Sequence, residues 1–303
     1  MTELREHVRK LAGDDEAERI YAAEDIGYSN RPEGVAPLLE RLPAETSRAV
    51  REAIFAALQS IDDDAVIEGA IRLLGSEDPF LRNQAVDLLR HRGDRAIAFL
   101  GQAFPKADSS RRKLILDVLA CVDSPGTSEI YTRALADADL NVVITAVENV
   151  GNACKTEFRE RIEELALTGH PMLAGVCVET LAQIGDAHSL DLIRTGDAVA
   201  DFFLPSYLKV LGANGNEQDL AETAEMLGSR DAHLQASILD AIAKLRQRHP
   251  SAVLPESLLE PLQNLVRNGN SAVLRHRALR LLEGMAAFQA DRDTRERREN
   301  NVV

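Results

Sequence analysis

The chain has 303 residues, 45% of them hydrophobic but only 4% aromatic, no tryptophan, and a formal charge of −14. Phosphate binding needs a cationic surface, so no nucleic-acid partner is expected, and anionic membranes are disfavoured for the same reason. The N-terminus MTELREHVRKLAGDDEAERI lacks an apolar core of signal length and no later run reaches the ~20 apolar residues of a membrane span, so a cytoplasmic protein is expected.

Residues 3–12 and 15–27 are predicted as a first helix pair, with Gly13 and Asp14 as the turn and Gly27 as the stop. A second pair runs from near Pro32 to before Pro43 and from about Ser47 to Ile61. Asp62, Asp63 and Asp64 then stand where carboxylates meet the positive end of a helix. The stretch SEDPFLRNQAVDLLRHRGD has Asp78 as cap, Pro79 at the first helical position, one apolar stripe through Leu81, Ala85, Val86 and Leu89, and Gly93 as terminator. From Asp94 to Gly185 the pattern is most regular, with first helices at Asp94–Phe104, Pro125–Asp137 and Lys155–Leu167 and second helices around Asp117, Glu148 and Glu179. A short helix near Asp186–Thr195 is followed by DAVADFFLPSYLKVLG, in which Pro205 either kinks a helix or falls in its first turn. Phe202, Phe203 and Tyr207 in that stretch are either a core plug or anchors at a binding surface. The pattern returns from Asp231 to Leu245. HPSAVLPESLLEP then forms a stiff insertion before a closing pair that ends near Phe288. The tail DRDTRERRENNVV, residues 291–303, is charged and lacks a core stripe, so it is read as a frayed helical extension or as disordered.

These elements repeat. Taking Asp87 as the anchor, its equivalents are Glu24, Ala56, Asp117, Glu148, Glu179, Lys209 and Asp240, spaced 30 to 32 residues apart, with Arg280 after a step of 40. A period near 31 sustained along a chain means a solenoid, so the expected fold is all-α, with eighteen helices in nine antiparallel pairs, no strand, and one elongated domain over residues 1–290. Asp15, Asp78, Asp108, Asp139 and Asp231 lie nine before the anchor, as helix caps. Arg19, Arg51, Arg82, Arg112 and Arg275 lie five before it, placed for a ladder of hydrogen bonds between repeats.

An Asp, then Val or Leu with Arg, two small apolar residues, an acid, and Leu or Ile before Gly is similar to HEAT repeats, and to their short phycobilisome-lyase-like subtype. DPFLRNQAVDLLRHRGD, DLNVVITAVENVG and MLAGVCVETLAQIGD carry the resemblance most clearly. It implies an α-solenoid wound as a right-handed superhelix, the second helix of each pair lining the concave side. That family spans scaffolds, chromophore-attachment subunits, a metal hydroxylase and DNA glycosylases, so fold alone does not choose a function.

Asp87, Asp117, Glu148 and Glu179 would then sit on successive second helices, about 10 Å apart, facing the groove. Such a column suits a basic or amphipathic protein segment, with Phe202, Phe203 and Tyr207 as further groove contacts. Asp87 with His91, and Asp117 with Cys121, are i, i+4 pairs that could chelate, but the ligands are mixed and the helices far apart for metal bonds of ~2 Å, so no metal is expected. The His-Glu dipeptides of the HEAT-like hydroxylase are absent, as are a nucleophile elbow and a Gly-rich phosphate loop. Cys121, Cys154 and Cys177 are odd in number and widely spaced, which fits reduced thiols, with Cys177 in an apolar column. The expected function is a monomeric, non-enzymatic scaffold or adaptor without cofactor, gripping a partner protein's segment. The alternative that the resemblance implies is an accessory subunit of a bilin lyase or of pigment-protein assembly or degradation.

Overall fold

The computed structural model describes residues 2–195, 204–228 and 232–300, and the side chains of 3–195, 204–227 and 234–287. The described residues form α-helices and short 3-10 turns without a strand. The first and second helices alternate as α1 (Thr2–Leu11) and α2 (Glu16–Ser29), α3 (Val35–Arg41) and α4 (Arg48–Ser60), α5 (Asp64–Leu73) and α6 (Pro79–Arg92), α7 (Asp94–Ala103) and α8 (Ser109–Leu119), and α9 (Thr127–Ala134) and α10 (Leu140–Asn152). They continue as α11 (Arg159–Ala166) and α12 (Pro171–Ile184), α13 (Ala187–Thr195) and α14 (Leu204–Asn214), α15 (Glu217–Glu225) and α16 (Ala232–Arg248), and α17 (Leu259–Asn268) and α18 (Ala272–Asn300). This is an all-α solenoid of helix pairs. Its contacts divide into two compact units, Met1–Asn149 and Val150–Val303.

The second helices start where the sequence offers an acceptor for the first unpaired N–H groups. Asp15, Asp78, Asp108 and Asp139 accept from the backbone of Glu18, Phe80, Arg111 and Asn141 at 2.8–2.9 Å. Asp231 and the pair Phe202 and Phe203 lie outside the described residues. Of the three acids in a row, Asp63 caps α5 through Ala65 N at 2.8 Å, while Asp62 and Asp64 hold Arg95 on α7. Pro205 lies in the first described turn of α14, where a missing N–H costs no helix bond. The helix α18 runs past Phe288 to Asn300.

Gly27 does not stop α2, which runs to Ser29 and ends on Asn30 in the left-handed region, φ 47°. A glycine near a helix end reads locally as a terminator, but this one is a contact surface: a Cβ there would lie 2.8 Å from Ala57 Cα on α4. Gly93, by contrast, is a true terminator of α6, with φ 50°.

Between the helices, the apolar stripes close the core. In the first unit Ile26, Ile54, Leu58, Leu89, Leu116 and Val147 are each fully buried; each such side chain contributes about 1.5–3 kcal/mol of transfer free energy. Three of the five column arginines form the expected ladder, while Arg82 and Arg275 bond carbonyls of their own loops. Arg19 Nε donates to Glu45 at 2.9 Å, Arg51 Nη1 to Asp78 at 2.7 Å, and Arg112 Nη2 to Asp137 at 3.0 Å, each acid belonging to the following repeat. The same guanidiniums tie down their own loops: Arg19 reaches the carbonyl of Asp14, Arg82 that of Ser76, Arg112 that of Ala107 and Arg275 that of Gly269, at 2.6–2.7 Å.

Candidate interaction surface

The anchor position is solvent-facing in every second helix. Glu24, Ala56, Asp87, Glu148, Glu179, Lys209 and Arg280 are exposed, and Asp117 and Asp240 are half-buried. The residue just before it is buried from Ala23 through Leu239. The helical period therefore presents one ridge of anchor side chains outward and keeps the adjacent residue in the core.

Within the first unit, the ridge carries Asp87 on α6, Asp117 on α8 and Glu148 on α10. Asp87 is exposed and meets Arg90, one turn on, at 3.4 Å. Arg90 also donates to the carbonyl of Asp117 at 3.3 Å, linking α6 to α8, and Asn149 links α10 to α8 through the carbonyl of Leu116 at 3.0 Å. Burial pushes the Asp117 carboxyl above the usual range, with Arg90 and Lys113 pulling it back. Glu148 forms no ion pair among the described residues. In the second unit, Glu179 on α12 pairs with Lys209 on α14, the cation that occupies the next anchor position. The ridge is thus less negative than a bare column of four acids, because Arg90, Lys113 and Lys209 stand beside three of them.

Tyr207 is half-buried, and its hydroxyl accepts from Arg194 Nε at 2.9 Å, while the other end of that guanidinium holds the buried carboxylate of Asp219. The ring is part of a link from α13 through α14 to α15. His91 Nδ1 donates to the carbonyl of Asp87 at 2.8 Å, within its own helix. Among the described residues, no three His, Cys, Asp or Glu side chains are placed to hold a metal ion.

A cavity of about 670 Å³ in the first unit is lined by the ridge residue Asp117 and by Leu114 and Thr145, with Arg82, Arg111 and Lys113 at its wall. Its guanidiniums are engaged: Arg82 with the carbonyls of Ser76 and Glu77, Arg111 with Asp108 at 3.2 Å. In the second unit the HPSAVLPESLLEP insertion folds against α17 and α18 around an apolar cleft of about 480 Å³, lined by Ala252, Val253, Leu254, Leu259, Leu282 and Met285.

Cys121 and Cys154 are exposed, and Cys177 is fully buried, where desolvation pushes its thiol up to about 12. The thiolate is the reactive form. Iodoacetamide at pH 8 should therefore modify Cys121 and Cys154 in the folded protein and leave Cys177 untouched until denaturant is added, as peptide mass spectrometry would read.

Two groups of residues escape a reading by column. Glu45 and Asp137 each lie two residues before a capping residue, Ser47 and Asp139, and receive the arginine four residues after the preceding repeat's cap. That relation appears only when the repeats are aligned on their caps. Tyr21 and Tyr28, three before and four after the anchor Glu24, are exposed by 65% and 86%.

A family profile described as HEAT repeats matches residues 4–90 and 35–120, which hold the first four helix pairs. Among solved structures the chain is similar to an engineered protein from a structural genomics programme, with 16% identity, 94% of this chain and 99% of that one covered, and a TM-score of 0.43. It is also similar to the complex of CpcE and CpcF of phycocyanin lyase from Nostoc sp. PCC7120, with 17% identity, 80% and 94% covered, and a TM-score of 0.33. No curated protein matches the sequence. No helix among the described residues is long and apolar enough to cross a membrane.

Proposed function

We propose that the chain is a HEAT-repeat protein, a reading supported by the profile that matches residues 4–90 and 35–120, and that it is a non-enzymatic cytoplasmic scaffold whose second-helix ridge grips a basic or amphipathic segment of a partner protein. The observation that carries this reading is the ridge itself: a register position facing solvent in every repeat, with Asp87, Asp117 and Glu148 in the first unit and Glu179 in the second. Stacked helices offer a long surface of fixed spacing to an extended or helical segment. The formal charge of −14 favours a cationic partner and raises its rate of encounter. Cations already beside three of the four acids set the scale of the contribution, since exposed pairs are each worth about 0.2–1 kcal/mol.

The test is the variant D87N/D117N/E148Q/E179Q against a partner recovered by pull-down from the native organism. Its affinity is expected to fall about tenfold and its dependence on salt to flatten. Unchanged affinity together with an unchanged salt slope would leave the ridge as a solvated face of the scaffold.

A further inference from the structure

Resting on that scaffold reading, we propose that Tyr21 and Tyr28 on α2 are the aromatic anchor of the interaction surface, and that their occupant is a Lys- or Arg-rich segment presenting two cations about 10 Å apart. Seven residues of helix are two turns less about 20°, so Tyr21 and Tyr28 stand in one line, with Glu24 between them on the same face. That face is directly opposite the buried one formed by Ala22, Ala23, Ile26 and Gly27. At 65% and 86% exposure neither ring contributes to the core, and among the described residues neither makes a hydrogen bond or ring contact. They are two of the chain's four tyrosines, on the ridge of second helices.

Charge selects the occupant. Residues 13–30 contain six carboxylates, Asp14, Asp15, Glu16, Glu18, Glu24 and Asp25, against one arginine, Arg19, and that arginine is buried on Glu45. Asp25 lies 3.2 Å from His7, and Glu24 forms no ion pair among the described residues. A tyrosine face attracts a guanidinium or ammonium, and a carboxylate beside it supplies the complementary charge. The spacing fits residues i and i+7 of a partner helix, at 1.5 Å per residue, or i and i+3 of an extended segment, at about 3.3 Å per residue. An acidic or nucleic-acid ligand would meet six carboxylates here, with Arg31, three residues after Tyr28, as the next exposed cation along the chain. Tyrosine is also the residue type enriched where interfaces concentrate their energy.

The experiment titrates the full chain with deca-arginine, and with deca-glutamate as control, by isothermal calorimetry at low salt. Y21A/Y28A is expected to weaken deca-arginine binding at least about tenfold with Tm unchanged, while Y21F/Y28F, which keeps both rings, binds like the unmodified protein. If Y21A/Y28A binds like the unmodified chain while D87N/D117N/E148Q/E179Q weakens, the scaffold reading stands and the anchor on α2 is overturned. Binding unaffected by either variant, or no binding of deca-arginine at all, overturns it too. Sedimentation supplies the remaining outcome: a dimer that Y21A/Y28A converts to monomer would assign the tyrosines to a second copy of this chain instead.

Discussion

Replacing Glu45 by Gln should lower the unfolding free energy of the chain by about 3–5 kcal/mol, the largest loss expected of any single polar substitution here. The Glu45 carboxylate is 1% exposed and takes bonds from Arg19 Nε at 2.9 Å, Arg41 Nη2 at 2.8 Å, and the backbone N–H groups of Thr46 and Ser47 at 3.0 and 2.8 Å. Every partner is a donor. A glutamine of the same shape presents one N–H₂ to these donors and removes the only negative charge between two guanidiniums. Arg19, itself 8% exposed, would be left buried with only carbonyl partners. The contrasting change is Glu52→Gln: its pair with Arg48 is exposed on both sides, and its loss should cost less than about 1 kcal/mol. Urea unfolding of both variants measures the difference, and a Glu45→Gln loss no larger than that of Glu52→Gln would show that the buried cluster does not hold the first two repeats together.

The same residue sets an acid limb. Burial works against the Glu45 charge, but the Ser47 N–H, Arg41 and Arg19 outweigh it and hold the carboxyl at about 2, against an ordinary 4.5. A carboxyl depressed by folding stabilises fully above its unfolded value, and that contribution is lost as pH falls from 4.5 to about 2. The amount is on the order of 3 kcal/mol. Asp78, Asp139 and Asp186 are also lowered, chiefly by the Phe80 N–H, the Ser109 hydroxyl and the Ser189 N–H respectively, so their contributions have the same sign. Asp117 has the opposite sign, because burial disfavours its charge and protonation relieves that cost. Stability measured from pH 7 to 2.5 should fall less steeply in Glu45→Gln than in the unmodified chain.

What could be read from the residues was what local chemistry decides. Asp15, Asp78, Asp108 and Asp139 are legible as caps because an N-cap bond closes within two or three residues. The arginine ladder followed from register at Arg19, Arg51 and Arg112, but not at Arg82, which bonds the carbonyls of its own loop. The acids at the ladder's far end did not follow, since Arg19 and Arg112 choose Glu45 and Asp137, in loops 26 and 25 residues away, while Arg51 chooses the cap Asp78. Two positions in the following repeat are equally reachable, and only the fold picks one. The ridge acids were legible as a column but not as partly paired, although Arg90 and Lys209 stand at spacings that the sequence displays. Tyr21 and Tyr28 carried no signal as a pair until Glu24 was known to face outward. Gly27 was misread because a long-range contact, not a turn, requires it.

That contact leads to two alanine substitutions expected to act with opposite signs. Replacing a helical glycine by alanine gains about 0.8–1 kcal/mol of helix propensity wherever the methyl group has room. Gly101, inside α7, has room: its Cβ would meet Ile130 at 3.8 Å, an ordinary van der Waals contact. Gly101→Ala should therefore stabilise by about 0.4–1 kcal/mol. At Gly27 the Cβ would lie 2.8 Å from Ala57 Cα and 2.9 Å from its Cβ, which is the backbone of α4 rather than a side-chain tip that can rotate away. Overpacking against backbone costs about 1–3 kcal/mol and exceeds the propensity gain, so Gly27→Ala should destabilise by about 1–2 kcal/mol. Gly212, whose Cβ would lie 3.0 Å from Ala241 Cα, repeats the contact between α14 and α16 in the second unit and should share the sign with a smaller size. The measurement is the urea midpoint of the three variants at constant m. If Gly27→Ala rose in stability as Gly101→Ala does, the second helices would not be held at a spacing that only a glycine permits, and the side-by-side packing of α2 on α4 would need another cause.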